Sequence, residues 1–94
     1  MVIITSKYTK PLEVIDSLLA DHRKFLSEYY RQGKFIVSGP QNPRVGGAIL
    51  ANVGIDEARE IMQQDPFTIH GAAEYSFIEF TPGSHDPRFA CFLK

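Results

Sequence analysis

A long amphipathic helix dominates the first third of the sequence. Apolar side chains recur there at steps of three and four residues, the period of a helix packed on a core. The stripe consists of Leu12, Ile15, Leu19, His22, Leu26 and Tyr29, with Leu18 and Phe25 beside it. We predict a helix from Pro11 to about Gln32, with Pro11 in its first turn and Gly33 ending it in the left-handed conformation.

One titratable residue, His22, interrupts the apolar stripe of this helix. An unpaired buried polar group costs about 1–3 kcal/mol, so an imidazole at this position needs a partner. Position alone leaves two interpretations open. His22 is either a core histidine satisfied by a hydrogen bond, or a proton carrier on the wall of a pocket.

The rest of the chain alternates between strand and helix patterns. Short β-branched, aromatic or alternating runs predict strands over residues 2–8, 34–38, 46–53 and 73–80. A second, shorter helix begins at Ile55 with Asp56 as its N-cap, and it ends before Asp65-Pro66. Gly39-Pro40 opens a predicted turn, and residues 66–70 fit one further helical turn. The order βαββαβ predicts a ferredoxin-like α+β fold, with an antiparallel sheet and two helices on one face.

The last predicted strand indicates a partner for the sheet. Phe77 and Ile78 are adjacent apolar residues, which suggests that both faces of the strand are covered. Because the helices cover only one face, we expect a homodimer or higher homo-oligomer with a barrel-like α/β assembly. We assign residues 1–81 to one domain and residues 82–94 to a C-terminal tail. The apolar residues of that tail would pack on the domain or on the dimer partner.

Composition excludes several classes of function. The 94 residues carry a formal net charge of −1 and no basic run, so the electrostatic footprint of nucleic-acid binding is missing. No apolar stretch approaches the roughly 20 residues of a membrane span, and no signal peptide is evident, so we expect a cytoplasmic protein. Cys91 is the single cysteine and supports neither an internal disulfide nor a metal cluster. No phosphate loop or dinucleotide fingerprint is present, and we expect no cofactor and no metal.

The tripeptide Asp65-Pro66-Phe67 is the second candidate functional feature of the sequence. As an N-cap, Asp65 would accept hydrogen bonds from backbone N–H groups while Pro66 fills the first helical position. As a partner of His22, Asp65 would hold one tautomer of the imidazole and support its charged form, as the carboxylate of a catalytic triad does. The two roles are compatible, and the residues alone leave both open.

Other polar groups are candidates for holding a substrate. The Ser38 hydroxyl, in Ser38-Gly39-Pro40, would either contact a ligand or cap the turn, and Gly39 would let a ligand approach the backbone. Tyr8 or Tyr75 would supply a hydroxyl to a phenolic substrate. His70 follows Asp65 by five residues, close enough to share its pocket.

Together these segments resemble the YCII-related (YciI-like) family over about residues 1–81. The matching residues are Asp21-His22, Phe25-Leu26, Gln32-Gly33-Lys34, Ser38-Gly39-Pro40, Gly46-Gly47-Ala48, Ala58 and Asp65-Pro66-Phe67. The resemblance implies a ferredoxin-like dimer whose sheets pack face to face, and an active-site pair at His22 and Asp65. It also implies a small aromatic substrate. The family's characterised chemistry is elimination of HCl from a chlorinated hydroxyhydroquinone, giving a hydroxybenzoquinone without a redox cofactor.

Two other functions remain open at this level. The same fold and pocket would suit a non-catalytic protein that binds a small metabolite or serves as an accessory subunit. They would also suit a proton-transfer isomerase that resembles muconolactone isomerase. The binder would show saturable affinity and no product, whereas the isomerase would turn over a lactone without releasing halide.

Overall fold

The computed structural model describes residues 1–93 of the chain. Its elements are β1 (Val2–Tyr8), α1 (Leu12–Arg31), β2 (Phe35–Pro40), β3 (Gly47–Ala51), α2 (Ile55–Met62), α3 (Pro66–Ile69), β4 (Ala73–Glu79) and a 3₁₀-helix at Pro87–Phe92. The strands form one antiparallel sheet in the order β2-β3-β1-β4. The predicted ferredoxin-like α+β fold is confirmed.

One face of the sheet carries the hydrophobic core. Successive side chains of a strand point to opposite faces, so alternate residues of β1 and β3 are buried together. One cluster joins strand residues with residues of both longer helices: Val2, Ile4, Leu26, Phe35, Ile49, Ala51, Ala58, Ile61 and Met62. Because α1 and α2 both contribute to this cluster, they cover the same face of the sheet.

The ends of α1 agree only partly with the sequence prediction. Gly33 has a positive φ of 74°, Lys34 N–H donates to the Tyr29 carbonyl at 2.9 Å, and Gly33 N–H donates to the Tyr30 carbonyl at 3.0 Å. This is the paired C-terminal motif that a left-handed glycine permits, and the prediction for Gly33 is confirmed. Pro11 is the N-cap with ψ of 154°, so its placement in the first turn was wrong. Leu12 is 45% exposed and does not belong to the buried stripe, because it lies in the first turn at the edge of the core.

The turn predicted at Gly39-Pro40 is wrong. Both residues belong to β2, where Gly39 pairs with Ala48 and Pro40 pairs with Gly47. β2 is an edge strand, and a proline without an N–H group is tolerated there. β3 is correspondingly shorter than predicted and covers Gly47–Ala51.

The N-terminus of α2 is capped from another element. Gly54 is its N-cap, and Ile55 N–H donates to Glu79 Oε2 of β4 at 2.8 Å. The prediction that Asp56 is the N-cap is therefore wrong. Asp56 lies in the first turn instead, where a negative charge interacts favourably with the helix dipole.

The β2–β3 connection, residues 41–46, is tied back onto β1. Tyr8 N–H donates to the Val45 carbonyl at 2.9 Å, and Gln41 Nε2 donates to the Ser6 carbonyl at 3.1 Å. Gly46 passes so close to β1 that an added Cβ would lie 1.7 Å from the Ser6 carbonyl oxygen. Only glycine fits this position without moving backbone.

The tail makes a defined contact with the domain. Asn52 Nδ2 donates to the Phe92 carbonyl at 2.7 Å, and the Phe89 and Phe92 rings lie 5.2 Å apart. Phe92 and Leu93 nevertheless stay 37% and 39% exposed. The packing of the tail on a dimer partner stays a prediction, and Lys94 lies outside the described residues. Within residues 1–93, no helix has both the length and the apolar character that crossing a membrane requires.

We expect Gly46→Ala to lower the free energy of unfolding by about 1–3 kcal/mol, the usual cost of forcing extra volume into a packed site. The matched control is Gly39→Ala, because an added Cβ there meets no heavy atom within 4 Å. Urea denaturation of the two variants and the parent measures the difference. Equal stability of the Gly46 and Gly39 variants would contradict the close approach.

Candidate active site

A cavity of about 390 Å³ opens between α1 and the helix-covered face of the sheet. This volume falls within the range of small-molecule sites. Its apolar lining includes Ile4, Leu19, Leu26, Ile49 and Phe67, and its polar lining consists of Ser6, Tyr8, His22, Arg23, Ser38, Arg44 and Tyr75. The arrangement suits a small, mostly apolar ligand that carries polar groups at its rim.

His22 forms a hydrogen bond with Asp65 of the same chain. Nδ1 of His22 lies 2.8 Å from Oδ1 of Asp65, with the His22 side chain 15% exposed and the Asp65 side chain fully buried. The second ring nitrogen, Nε2, makes no hydrogen bond within residues 1–93. His22 is therefore hydrogen-bonded on one side and also lines the cavity, and its role as a proton carrier stays a prediction.

The buried carboxylate of Asp65 accepts two further hydrogen bonds. Phe67 N–H donates to Oδ1 at 3.2 Å, which makes Asp65 the N-cap of α3 and confirms that prediction. The Tyr75 hydroxyl donates to Oδ2. Because both oxygens have donors, the carboxylate is held in one orientation, with Oδ1 directed at the His22 ring.

Tyr75 keeps its proton in this environment. Burial raises the pKa of Tyr75 well above its usual value of 10.0, and the negative charge of Asp65 adds to the effect. Ionisation would place a phenolate against a carboxylate in a poorly solvated site. Tyr75 therefore acts as a hydrogen-bond donor to Asp65 throughout the neutral pH range.

Phe67 fixes the plane of the imidazole. The rings of His22 and Phe67 are stacked, with centroids 4.1 Å apart and an interplanar angle of 12°. α3 begins at Pro66, directly after its Asp65 cap. The short Asp65-Pro66-Phe67 segment therefore supplies both the hydrogen-bond partner and the stacking surface of His22.

The structure brings most of the sequence-predicted substrate residues together. Tyr8, Ser38, Gly39 and Pro40 line the cavity. The Ser38 Oγ also shares a hydrogen bond with the Tyr30 hydroxyl on α1. The Ser38 segment reaches the cavity as the end of an edge strand rather than as a turn.

His70 is not brought to the cavity. It is the C-cap of α3 and is exposed, because the single turn of that helix carries it away from Asp65. Separation by five residues indicated proximity, but a helical turn changes direction within that span. We therefore leave His70 out of the candidate site.

Three polar residues of the lining were missed by sequence reasoning. Ser6 is buried on β1, and its Oγ accepts from Gly47 N–H at 2.8 Å. The sequence signal for Ser6 is its position two residues after Ile4, which places it on the buried face of β1. Arg23 and Arg44 carry no such signal, because their approach to the cavity depends on tertiary structure.

Within residues 1–93, no group of three or more His, Cys, Asp or Glu side chains is placed to hold a metal ion. The polar chemistry of the described cavity comes from one imidazole, two guanidinium groups and several hydroxyls. These groups can exchange a proton and bind oxygen atoms of a ligand.

Comparison with known proteins agrees with this architecture. Residues 1–81 match the profile of the YCII-related domain. No curated protein matches the chain significantly in sequence. Among solved structures, the chain is similar to 5-chloro-2-hydroxyhydroquinone dehydrochlorinase from Burkholderia phenoliruptrix AC1100, in complex with 2,5-dihydroxybenzoquinone. The TM-score is 0.70 at 20% sequence identity, covering 86% of this chain and 94% of that chain. Identity at this level shows a shared fold.

We expect Tyr75→Phe to destabilise the protein by about 1–3 kcal/mol at neutral pH, because it leaves Asp65 Oδ2 without its donor. Since folding raises the pKa of Tyr75, the stability contributed by its neutral hydroxyl is fully present below pH 10.0 and is lost as the pH rises. The stability difference between parent and variant should then shrink by about 1.4 kcal/mol per pH unit above that value. Denaturation curves measured from pH 7 upward test this, and a difference that stays constant through alkaline pH would refute it.

Proposed function

This chain belongs to the YCII-related family, and we propose that it is a cofactor-independent lyase that eliminates HCl from a chlorinated hydroxyhydroquinone. The observation that carries the proposal is the hydrogen bond between His22 and Asp65, which leaves one ring nitrogen on the wall of a cavity. The shared fold with a dehydrochlorinase supports the choice of substrate class.

His22 acts as the base in the proposed reaction. A chlorinated hydroxyhydroquinone can tautomerise to a diketo form, a hydroxycyclohexenedione, in which the carbon that carries chlorine and the neighbouring CH₂ carbon are both tetrahedral. Nε2 of His22 removes a proton from the neighbouring carbon, the electrons of that C–H bond form the new C=C bond, and the C–Cl bond breaks. The proton stays on the imidazole and chloride leaves, so the ring loses HCl and becomes a hydroxybenzoquinone.

Asp65 supports the charge that His22 acquires. Its Oδ1 lies 2.8 Å from Nδ1, so it holds the tautomer that presents an unprotonated Nε2 to the cavity. When Nε2 accepts the proton, the ring becomes an imidazolium beside a buried carboxylate, which stabilises it. In this proposal the hydroxyls of Tyr8 and Ser38, which line the same cavity, hold substrate oxygen atoms.

We further propose that two copies of the chain associate through the open face of the sheet. Four apolar residues, Val37, Leu50, Ile3 and Ile78, form one row across all four strands because each pairs with the next. Val37 is 57% exposed and Ile78 is 59% exposed. A second copy would bury this row against itself, as a two-fold interface places the same patch on both subunits.

We expect His22→Ala to reduce the rate of chloride release about 10²–10⁴-fold, the usual contribution of a positioned base. The assay supplies a panel of chlorinated hydroquinones and measures halide release and quinone absorbance together. His85→Ala is the matched control, because His85 is exposed in the tail and bonds only to the Asp86 carbonyl. It should keep the parent rate.

The same assay separates the alternative functions. A His22→Ala variant with parental chloride release would refute the proposed base. Saturable binding with no product in the parent protein would favour a metabolite-binding role, and turnover of a lactone without halide would favour an isomerase.

We expect Ile78→Lys to convert the proposed dimer to a monomer, because it places a charge in the apolar row of the proposed interface. Ile69→Lys is the control, since Ile69 is 66% exposed on α3, away from the sheet. Sedimentation velocity measures both variants beside the parent. A parent protein that sediments as a monomer, or an Ile78 variant that remains dimeric, would contradict this interface.

A further inference from the structure

The charged lining of the cavity has one sign. Arg23 and Arg44 both line it, and no carboxylate does so within residues 1–93. Asp65 is fully buried behind His22 and Tyr75, and both side chains form hydrogen bonds with its carboxylate. A ligand in this cavity therefore meets two guanidinium groups and no carboxylate of the lining, while Arg44 is also paired with Asp16 outside the lining.

The two arginines come from different elements and are differently held. Arg23 follows His22 on α1, is exposed, and forms no ion pair within residues 1–93. Arg44 belongs to the connection that is tied back onto β1, and its Nη2 lies 2.6 Å from Asp16 Oδ1. Asp16 leaves the remaining N–H groups of Arg44 available, because a guanidinium has five donors.

Arg44 is a permanent cation in this setting. The hydrogen bond with Asp16 is the main cause that raises its pKa, and the Tyr8 hydroxyl adds to the effect. Tyr8 itself lines the cavity, so this hydroxyl and the guanidinium form one polar corner. Guanidinium groups bind planar oxyanions through two parallel hydrogen bonds, which gives both charge and direction.

From this arrangement we propose that the cavity recognises its ligand as an oxyanion, an ionised phenol or enol conjugated with a carbonyl, with Arg23 and Arg44 as its counter-charges. This inference rests on the proposed function for the identity of the ring but not for its charge. In the elimination, removal of a proton from carbon also delocalises negative charge onto the ring oxygens. The same two cations would stabilise that charge as it develops.

If Arg23 and Arg44 have only structural roles, a different result is expected. Arg23 would then be a solvated residue of α1, and Arg44 would serve only to fasten the β2–β3 connection to α1 through Asp16. Replacing either residue would leave the preference for a charged ligand unchanged. Loss of Arg44 would weaken all ligands alike, through a loosened connection.

The test measures binding rather than turnover. The probes are 2,5-dihydroxybenzoquinone, which is an anion at neutral pH, and hydroquinone, which is a neutral ring of similar size. Isothermal titration calorimetry compares the parent with Arg23→Gln, Arg44→Gln and Arg44→Lys. The matched control is Arg31→Gln, because Arg31 lies on α1 outside the cavity and pairs with Glu28.

We expect each glutamine variant to weaken binding of the anion about tenfold and to change binding of hydroquinone less than twofold. Arg44→Lys should recover part of the affinity, and added salt should weaken anion binding in the parent more than in either glutamine variant. Equal loss for both probes, or no loss for the anion, would overturn the inference. If anion selectivity is present but no chlorinated hydroquinone is turned over, the proposed function fails while this inference stands.

Discussion

The buried carboxylate of Asp65 is the interaction on which both the site and the packing of α1 depend. It accepts from His22 on α1, from Phe67 N–H on α3 and from Tyr75 on β4. A buried carboxylate that loses one hydrogen-bond donor destabilises a protein by about 1–3 kcal/mol. Docking of the long helix and assembly of the candidate site are therefore one event, and a fold that satisfies Asp65 also orients His22.

Local patterns in the sequence predict most of the architecture. The stripe of α1 from Ile15 onward, the left-handed Gly33 and the Asp65 cap each depend on near neighbours along the chain, and all three agree with the structure. Two of the errors have non-local causes. Gly39-Pro40 can lie in a strand only because that strand is at the edge of the sheet, and Glu79 displaces Asp56 as the partner of the α2 N-terminus from 24 residues away.

The candidate site likewise contains residues that local sequence patterns marked and residues whose position depends on the tertiary structure. A polar residue in an apolar stripe and a carboxylate before a proline marked His22 and Asp65 as candidates, and the family resemblance was needed to pair them. The cationic lining was not predictable, because Arg44 reaches the cavity only when the β2–β3 connection folds back over β1. That fold-back requires Gly46 at a position where a Cβ would meet backbone. His70 is the opposite case. It is close to Asp65 along the chain, but one turn of α3 separates it from the cavity.

The hydrogen-bonded chain that starts at His22 ends at a group that keeps its own proton. It runs from Nδ1 through Asp65 to the Tyr75 hydroxyl, a donor whose raised pKa keeps its own proton in place. Tyr75 therefore remains a donor to Asp65 at neutral pH, and Nε2 is the His22 ring nitrogen without a hydrogen bond within residues 1–93. The proton that His22 accepts therefore exchanges with bulk water at Nε2, through the mouth of the cavity. A ligand bound there also determines when the imidazole returns to its neutral form.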